Sequence, residues 1–275
     1  MDERSKLAND NTSEHTSDPA NAFTIHPLNC GTIRNHERSG FLYRTDCGGG
    51  RINAPCIAWL LRSQNHTLLV DTGPGTRRHA ARFYSDDDVN QEDLLRDELA
   101  RLDINPSDLT HVILTHLHND HVGGAPLLTN ARFYVQEAEL KEAVWPVPFQ
   151  RPIYETNQRG KIPSWVEILD RMEVLEGDVE IVPGVRALLL PGHTAGSQGV
   201  LVNTAEGEFL IAGDLVPLYE NWPGTESQAI PNGNHTDLRA YAASFKRLAA
   251  LNATILPAHE PRVFDFKQYP SCRCL

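Results

Sequence analysis

Apolar residues run along this chain in short stretches, many with the period of two that puts alternate side chains on opposite faces of a strand, and Gly, Pro, Asn or Asp closes most of them. The pattern predicts strands over Phe23–Leu28, Ile57–Leu61, Thr67–Val70, Val112–Thr115, Arg132–Val135, Val185–Leu190, Gly199–Asn203, Glu208–Ala212 and Thr254–Leu256. Helical spacing is read over Gln91–Leu102, Gln136–Ala143 and Thr236–Leu251, with Asp237 and the 103–106 segment as punctuation. Strands interleaved with helices give an α/β chain, and the layer architecture that fits is an αββα sandwich.

The C-terminal ends of several predicted strands share one kind of chemistry. After Val112-Ile113-Leu114 comes Thr115-His116-Leu117-His118-Asn119-Asp120-His121, three imidazoles and a carboxylate in one short run. Imidazole nitrogen and carboxylate oxygen suit zinc and related first-row ions, and the strand period is expected to point His116 and His118 to one side. The chain then turns into Gly123-Gly124, where small residues permit a tight path at a helix start. His193 comes after the strand at 185–190 in a Pro-Gly turn, Asp214 after 208–212 past a glycine, and His259 after 254–256. A lone His or Asp after a strand is ordinarily a cap or a loop residue. Five His and two Asp at four strand ends are enough for two ions.

In these blocks the chain resembles the metallo-β-lactamase-fold hydrolase superfamily. HxHxDH at 116–121, the Pro191-Gly192-His193-Thr194-Ala195-Gly196-Ser197 turn, Gly213-Asp214 and the late His259 stand in the family's order. Leu68-Leu69-Val70-Asp71-Thr72-Gly73 looks like its early LxDTG turn, and the likeness runs from about Phe23 to about Pro261. The resemblance implies two mixed β-sheets flanked by helices. It further implies that His116, His118 and His193 hold one divalent ion, that Asp120, His121 and His259 hold another, and that Asp214 bridges them. Zinc is the expected ion, with Mn, Fe or Co also compatible with the ligand types.

Within the superfamily, Asp214 and the lack of a Cys at any candidate ligand position argue against true β-lactamases, and His118 argues against the flavin-associated di-iron branch. The seven-residue set and the segment after Asp214 are most similar to the N-acyl-homoserine-lactonase-like branch. That branch implies attack on a lactone carbonyl by hydroxide held between the ions, Asp120 as proton shuttle, and a Tyr contacting the carbonyl. The family Tyr commonly sits three residues past the bridging Asp, where this chain has Pro217; Tyr219, five past, is the candidate electrophile. Hydrolysis of a thioester or cyclic amide by the same ions is the alternative; a glutathione thioester would require a basic pocket, with Lys246, Arg247, Arg262 and Lys267 as candidates. A non-catalytic metal module is the third reading.

Charge and composition narrow the partners. Lys plus Arg number 25 against 36 Asp plus Glu in 275 residues, a net charge of −11 that disfavours nucleic acid. With 40% apolar residues the chain can bury one large core, and one metallohydrolase domain is expected over 22–275. No apolar run is long enough to span a membrane. Residues 1–21 are polar, lack the apolar core of a secretory signal and read as a disordered lead, which favours a cytoplasmic location. The five cysteines form no disulfide framework. Cys272-Arg273-Cys274-Leu275 outlines a prenylation box that Arg273 breaks, so a frayed tail is expected. Specificity is expected in loops, with the aromatic, Pro-stiffened stretch Val144–Tyr154, Trp165 and Trp222 as an apolar wall for a lactone or ester bearing an acyl chain or ring. Oligomeric state is open, a homodimer included.

Overall fold

The computed structural model describes residues 21–44, 50–76 and 94–271. The expected lead, apart from Asn21, and the tail around Cys272 lie outside them.

Two mixed sheets pack face to face. The first runs in the order β1 (Thr24–Glu37), β2 (Arg51–Arg62), β3 (Thr67–Val70), β4 (His111–Ile113), β5 (Arg132–Gln136) and β6 (Met172–Leu175). Its first three strands are antiparallel, and β3 through β6 are parallel. The second runs β11 (Ala253–Leu256), β10 (Gly207–Ile211), β9 (Gln198–Thr204), β8 (Val185–Leu189) and β7 (Val179–Val182), with only β10 and β11 parallel.

Strict alternation explains the layers. On β2, Ile57, Trp59 and Leu61 face the second sheet while Ala58 and Leu60 face outward. On β9 and β10, Val200, Val202, Phe209 and Ile211 meet them from the other side, and Leu201 and Leu210 point away. The outward face of the first sheet is covered by helix α1 (Leu94–Arg101) through Leu95 and Leu99. Two further pieces cover it: helix α3 (Glu137–Val144) through Ala143, and Trp165 of the short helix α4 (Ser164–Glu167). The outward face of the second sheet is covered by α5 (Leu238–Ala250) through Tyr241, Phe245 and Leu248. Asp237 caps α5 by accepting from the Arg239 and Ala240 amides. Helix, sheet, sheet, helix is the expected αββα order.

Several boundaries differ from the sequence reading. β1 and β2 extend well past 23–28 and 57–61 because their continuation is an antiparallel hairpin with register shifts, whose mixed polarity hides its period. β6 and β7 were not expected; they are edge strands, partly exposed, without a clean apolar face. β4 stops at Ile113, so His116 and His118 lie beyond the strand. The one-turn helix α2 (Asn119–Val122) precedes Gly123 rather than starting there.

Strand direction places the site. β3, β4, β8, β10 and β11 all deliver their C-terminal ends to one edge of the sandwich. Near that edge a buried polar clamp joins the sheets: Gln198 donates from its side chain to the Leu114 and Tyr134 carbonyls (2.8 and 3.1 Å) and accepts from Gln136 (2.8 Å). Gly196 sits where a Cβ would lie 2.0 Å from the Glu139 amide nitrogen at the start of α3. Gly196→Ala is therefore expected to lower unfolding stability by about 3 kcal/mol, read from urea denaturation. An unshifted midpoint would show that the turn carrying His193 does not press on α3.

Candidate metal centre

All seven sequence-predicted ligands meet at this edge. His116, His118 and His193 place their nitrogens within 4.8 Å of one another, as do the donor atoms of His116, His121 and Asp214. Asp214 Oδ2 is 3.4 Å from His193 Nε2, and its Oδ1 is 3.3 Å from His121 Nε2 and 3.1 Å from His259 Nε2. Asp120 Oδ2 stands 3.8 Å from His121 and 3.7 Å from His259. One carboxylate thus faces both clusters, as the bridging expectation requires.

Four imidazoles are locked by their outer nitrogen. His193 Nδ1 donates to the Asn234 carbonyl (2.6 Å) and His259 Nδ1 to the Pro55 carbonyl (2.8 Å), acceptors that force the proton onto Nδ1. His121 Nδ1 is held by Asp71 Oδ2 at 2.8 Å. Thr115 gives its hydroxyl proton to the same oxygen (2.8 Å) and so accepts from His116 Nδ1 (3.0 Å). Each Nε2 therefore turns a lone pair inward.

Asp71 sustains this from a left-handed backbone (φ 57°), which a non-glycine residue holds at a cost of order 1 kcal/mol, and it also accepts from the Thr115 amide at 2.7 Å. Buried Glu139 ties three loops together, accepting from the Leu117 amide (2.9 Å), the Tyr154 hydroxyl (3.1 Å) and the Thr194 hydroxyl (2.5 Å). The Tyr154 ring lies edge-on to His118, with centroids 4.8 Å apart.

The site's charges match a cation. Burial, reinforced by neighbouring imidazoles, holds His116 and His118 well below the ordinary imidazole range, and burial lowers His193. Burial also opposes a charge on His121 and His259, yet Asp120, Asp71 and Asp214 around the former and Asp214 and Asp120 around the latter outweigh it and push both up. The carboxylates thus call for positive charge on that side of the site, and His116 Nε2, His118 Nε2, His121 Nε2 and Asp214 Oδ1 are buried without a hydrogen-bond partner. Inward lone pairs, orphaned acceptors and two clusters sharing a carboxylate are the donor set of two divalent cations.

Tyr219 does not join them. Pro217 is pinned by the His259 amide on its carbonyl (2.8 Å), and the next turn carries Tyr219 away. Its ring lies under the Arg262 guanidinium (5.0 Å) and its hydroxyl pairs with Tyr269. Of the expected apolar wall, Ile153 lines the cavity and the tryptophans do not. Trp165 is core, Trp222 stacks on Phe245 (5.6 Å), and Trp145 and Phe149 are 82% and 81% exposed. The cavity over the site holds about 700 Å³, and among the described residues its apolar lining is Ile33, Phe41 and Ile153, set among Arg34, Asn35, His36, Arg51 and Asn232. Lys246, Arg247, Arg262 and Lys267 do not line it.

Sequence reasoning also left Cys56 out, although its sulfur lies within 4.8 Å of donor atoms of Asp120 and His259. No motif marks it; only the pairing of β1 with β2 brings it here.

Comparison with known proteins places the chain in a family and its fold among solved structures. A family model described as the metallo-beta-lactamase superfamily matches residues 53–259. An N-acyl homoserine lactonase from Bacillus cereus is 29% identical over 238 residues, covering 82% of this chain and 87% of its own. A solved variant of the B. thuringiensis lactonase AiiA with N-decanoyl-L-homoserine at its active site superposes with TM-score 0.68 at 23% identity, covering 88% of this chain and 95% of that one. AidC, a dizinc quorum-quenching lactonase bound to its product, gives TM-score 0.68 at 17% identity, covering 89% and 92%.

The groups behind the ligands can be probed one at a time. Asp71→Asn sets an amide against His121 Nδ1, drives the proton to Nε2 and removes one inward lone pair. Zinc affinity at one of two sites should fall about 10- to 100-fold in calorimetric titration of stripped protein; two unchanged sites would sink the tautomer argument. Burial pushes Glu139 up to about 7 from 4.5, against three donated hydrogen bonds. The folded protein then keeps a proton that the unfolded chain has lost, so stability from this group is full below pH 4.5 and falls as pH rises to about 7, by about 3 kcal/mol. Glu139→Gln should flatten that part of the stability curve, and parallel curves for the two proteins would refute it.

Proposed function

The chain belongs to the metallo-beta-lactamase superfamily, and from that premise we propose that it is a dinuclear metal-dependent hydrolase that opens the ring of an N-acyl homoserine lactone or a related lactone. The observation that carries the proposal is Asp214, one buried carboxylate whose two oxygens face two imidazole clusters beneath an open cavity. The lactonase relatives support the substrate class.

Two divalent cations held by His116, His118, His193, Asp120, His121, His259 and shared Asp214 would supply Lewis acidity toward a carbonyl and hydroxide near neutral pH. Zinc fits the His and carboxylate donors and is the ion we assign. The remaining roles belong to the chain. Asn232 donates to the Asp214 carbonyl oxygen (3.2 Å) and to its Oδ2 (3.4 Å), fixing the plane of the shared carboxylate. Asp120 is the ligand carboxylate with the fewest commitments: it lines the cavity and its side chain keeps 13% exposure. In this scheme it takes a proton from attacking water and returns it to the ring alkoxide that leaves. Ile33, Phe41 and Ile153 offer apolar contact to an acyl chain, while Asn35, His36 and Asn232 offer donors or acceptors to its amide. Tyr219 has no part in this scheme.

One metallohydrolase domain over 22–275 and a cytoplasmic location belong to the same proposal; among the described residues no helix is long and apolar enough to cross a membrane. A homodimer is supported by the exposed apolar run Val144, Trp145, Val147 and Phe149.

The test is acid release in a pH-stat from γ- and δ-lactones, acyl-homoserine lactones, thioesters and cyclic amides, with metal-quantified and metal-stripped protein. Lactone opening that disappears on stripping is expected, with kcat reduced at least about 100-fold in Asp120→Asn at matched metal content. Turnover of a thioester or cyclic amide alone would replace the substrate, and silence on every compound with both ions bound would remove the hydrolase reading.

A further inference from the structure

Cys56 lies on β2 directly after Pro55, the residue whose carbonyl takes the His259 Nδ1 proton. It is fully buried and forms no disulfide. Ordinary filler is the first reading for such a thiol, which behaves as a small apolar residue, and Ile33, Phe41, Ala54 and Leu218 do pack around it. The sulfur's other neighbours do not suit filler. It stands within 4.8 Å of a carboxylate oxygen of Asp120 and an imidazole nitrogen of His259, in one cluster of donor atoms. Asp214 Oδ1, 3.1 Å from His259 Nε2, and His121 Nε2 are buried in the same space without hydrogen-bond partners. The Ile33 backbone hydrogen-bonds the sulfur in the sense that favours its charged form, as backbone amides do for a thiolate. Without a cation, burial and the nearby carboxylates push the thiol well up; a cation in their midst inverts that balance.

We propose that Cys56 is a sulfur ligand of the cation held by Asp120, His121 and His259. The second position is then a mixed nitrogen, oxygen and sulfur site, while the position of His116, His118 and His193 has no sulfur. Binding breaks the S–H bond, the sulfur keeps the electron pair as a donor to the cation, and the proton leaves to solvent. Thiolate favours thiophilic ions, so this position should discriminate against manganese more strongly than carboxylate and imidazole alone would.

The proposal rests on the two-cation reading, and the experiment separates the two. The full chain is stripped with chelator, loaded with Co²⁺ and followed by metal analysis and near-ultraviolet absorption, beside Cys56→Val, which conserves volume, and Cys56→Ser, with circular dichroism to confirm folding. The expected result is two cobalt ions per chain, a sulfur-to-cobalt charge-transfer band in the wild type, and loss of that band in both variants while the first ion stays bound. Two ions bound without the band, or a band that persists in folded Cys56→Val, would overturn the ligand assignment and leave the two-cation reading intact. Failure of the wild type to bind a second ion would overturn both.

Discussion

The structure depends on holding acceptors against acceptors. Around Asp214 the inward nitrogens of His116, His121, His193 and His259 carry lone pairs, because each ring has committed its proton to a fixed partner on the outside. Such an arrangement is unfavourable by itself, since buried charges and unpaired acceptors each cost free energy. It persists because the outer partners are backbone carbonyls, a backbone-anchored carboxylate and the Thr115 hydroxyl bound to that carboxylate, which cannot move without unpicking a strand end. Divalent cations then meet a site already oriented for them, with little reorganisation left to make.

Holding that arrangement is a problem of two sheets, since neither contains the site. The first sheet contributes His116, His118, Asp120 and His121 from the loop after β4, and the second contributes His193, Asp214 and His259 from the ends of β8, β10 and β11. Their separation is set by buried polar bonds rather than by apolar packing alone. The Gln136–Gln198 pair and its carbonyl partners fix the sheets at one point. Glu139 fixes the His118 loop to the His193 turn at another. Directional bonds suit this task, because apolar contacts tolerate a sideways slip that ligand geometry does not.

The sequence made the ligands legible and left their supports obscure, and the reason is physical. Ligands must be of a few residue types at strand ends, so His116 through His121 and the later His193, Asp214 and His259 stand out. Supports may be any group of the right polarity in the right place. The Pro55 and Asn234 carbonyls have no sequence signature, and Asp71, though visible in its turn, shows its purpose only once β3 lies beside β4. The strand period predicted a shared direction for His116 and His118, and they do converge, but through the loop path beyond Ile113. Tyr219 lies against Arg262 and outside the cavity lining, a placement that spacing from Asp214 does not reveal, and β6 and β7 escaped because half-exposed edges need no regular pattern. The aromatic stretch misled in another way: hydrophobic composition identified Trp145 and Phe149 as walls, whereas burial shows them facing outward.

The hairpin of β1 and β2 gathers what the motifs do not explain. Its described residues supply Ile33, Arg34, Asn35, His36, Phe41 and Arg51 to the cavity wall, and Pro55 and Cys56 stand beside His259. Phe41 links the two levels, with ring centroids 4.9 Å from His36 and 5.2 Å from His259. Ile33 does so as well, lining the cavity while its backbone meets the Cys56 sulfur. A change of sequence in this hairpin that reshapes the wall for a different acyl group therefore also moves the groups that orient His259. Substrate range and metal environment are coupled through one element, whereas the HxHxDH loop is held from outside the hairpin, by Glu139 and Asp71.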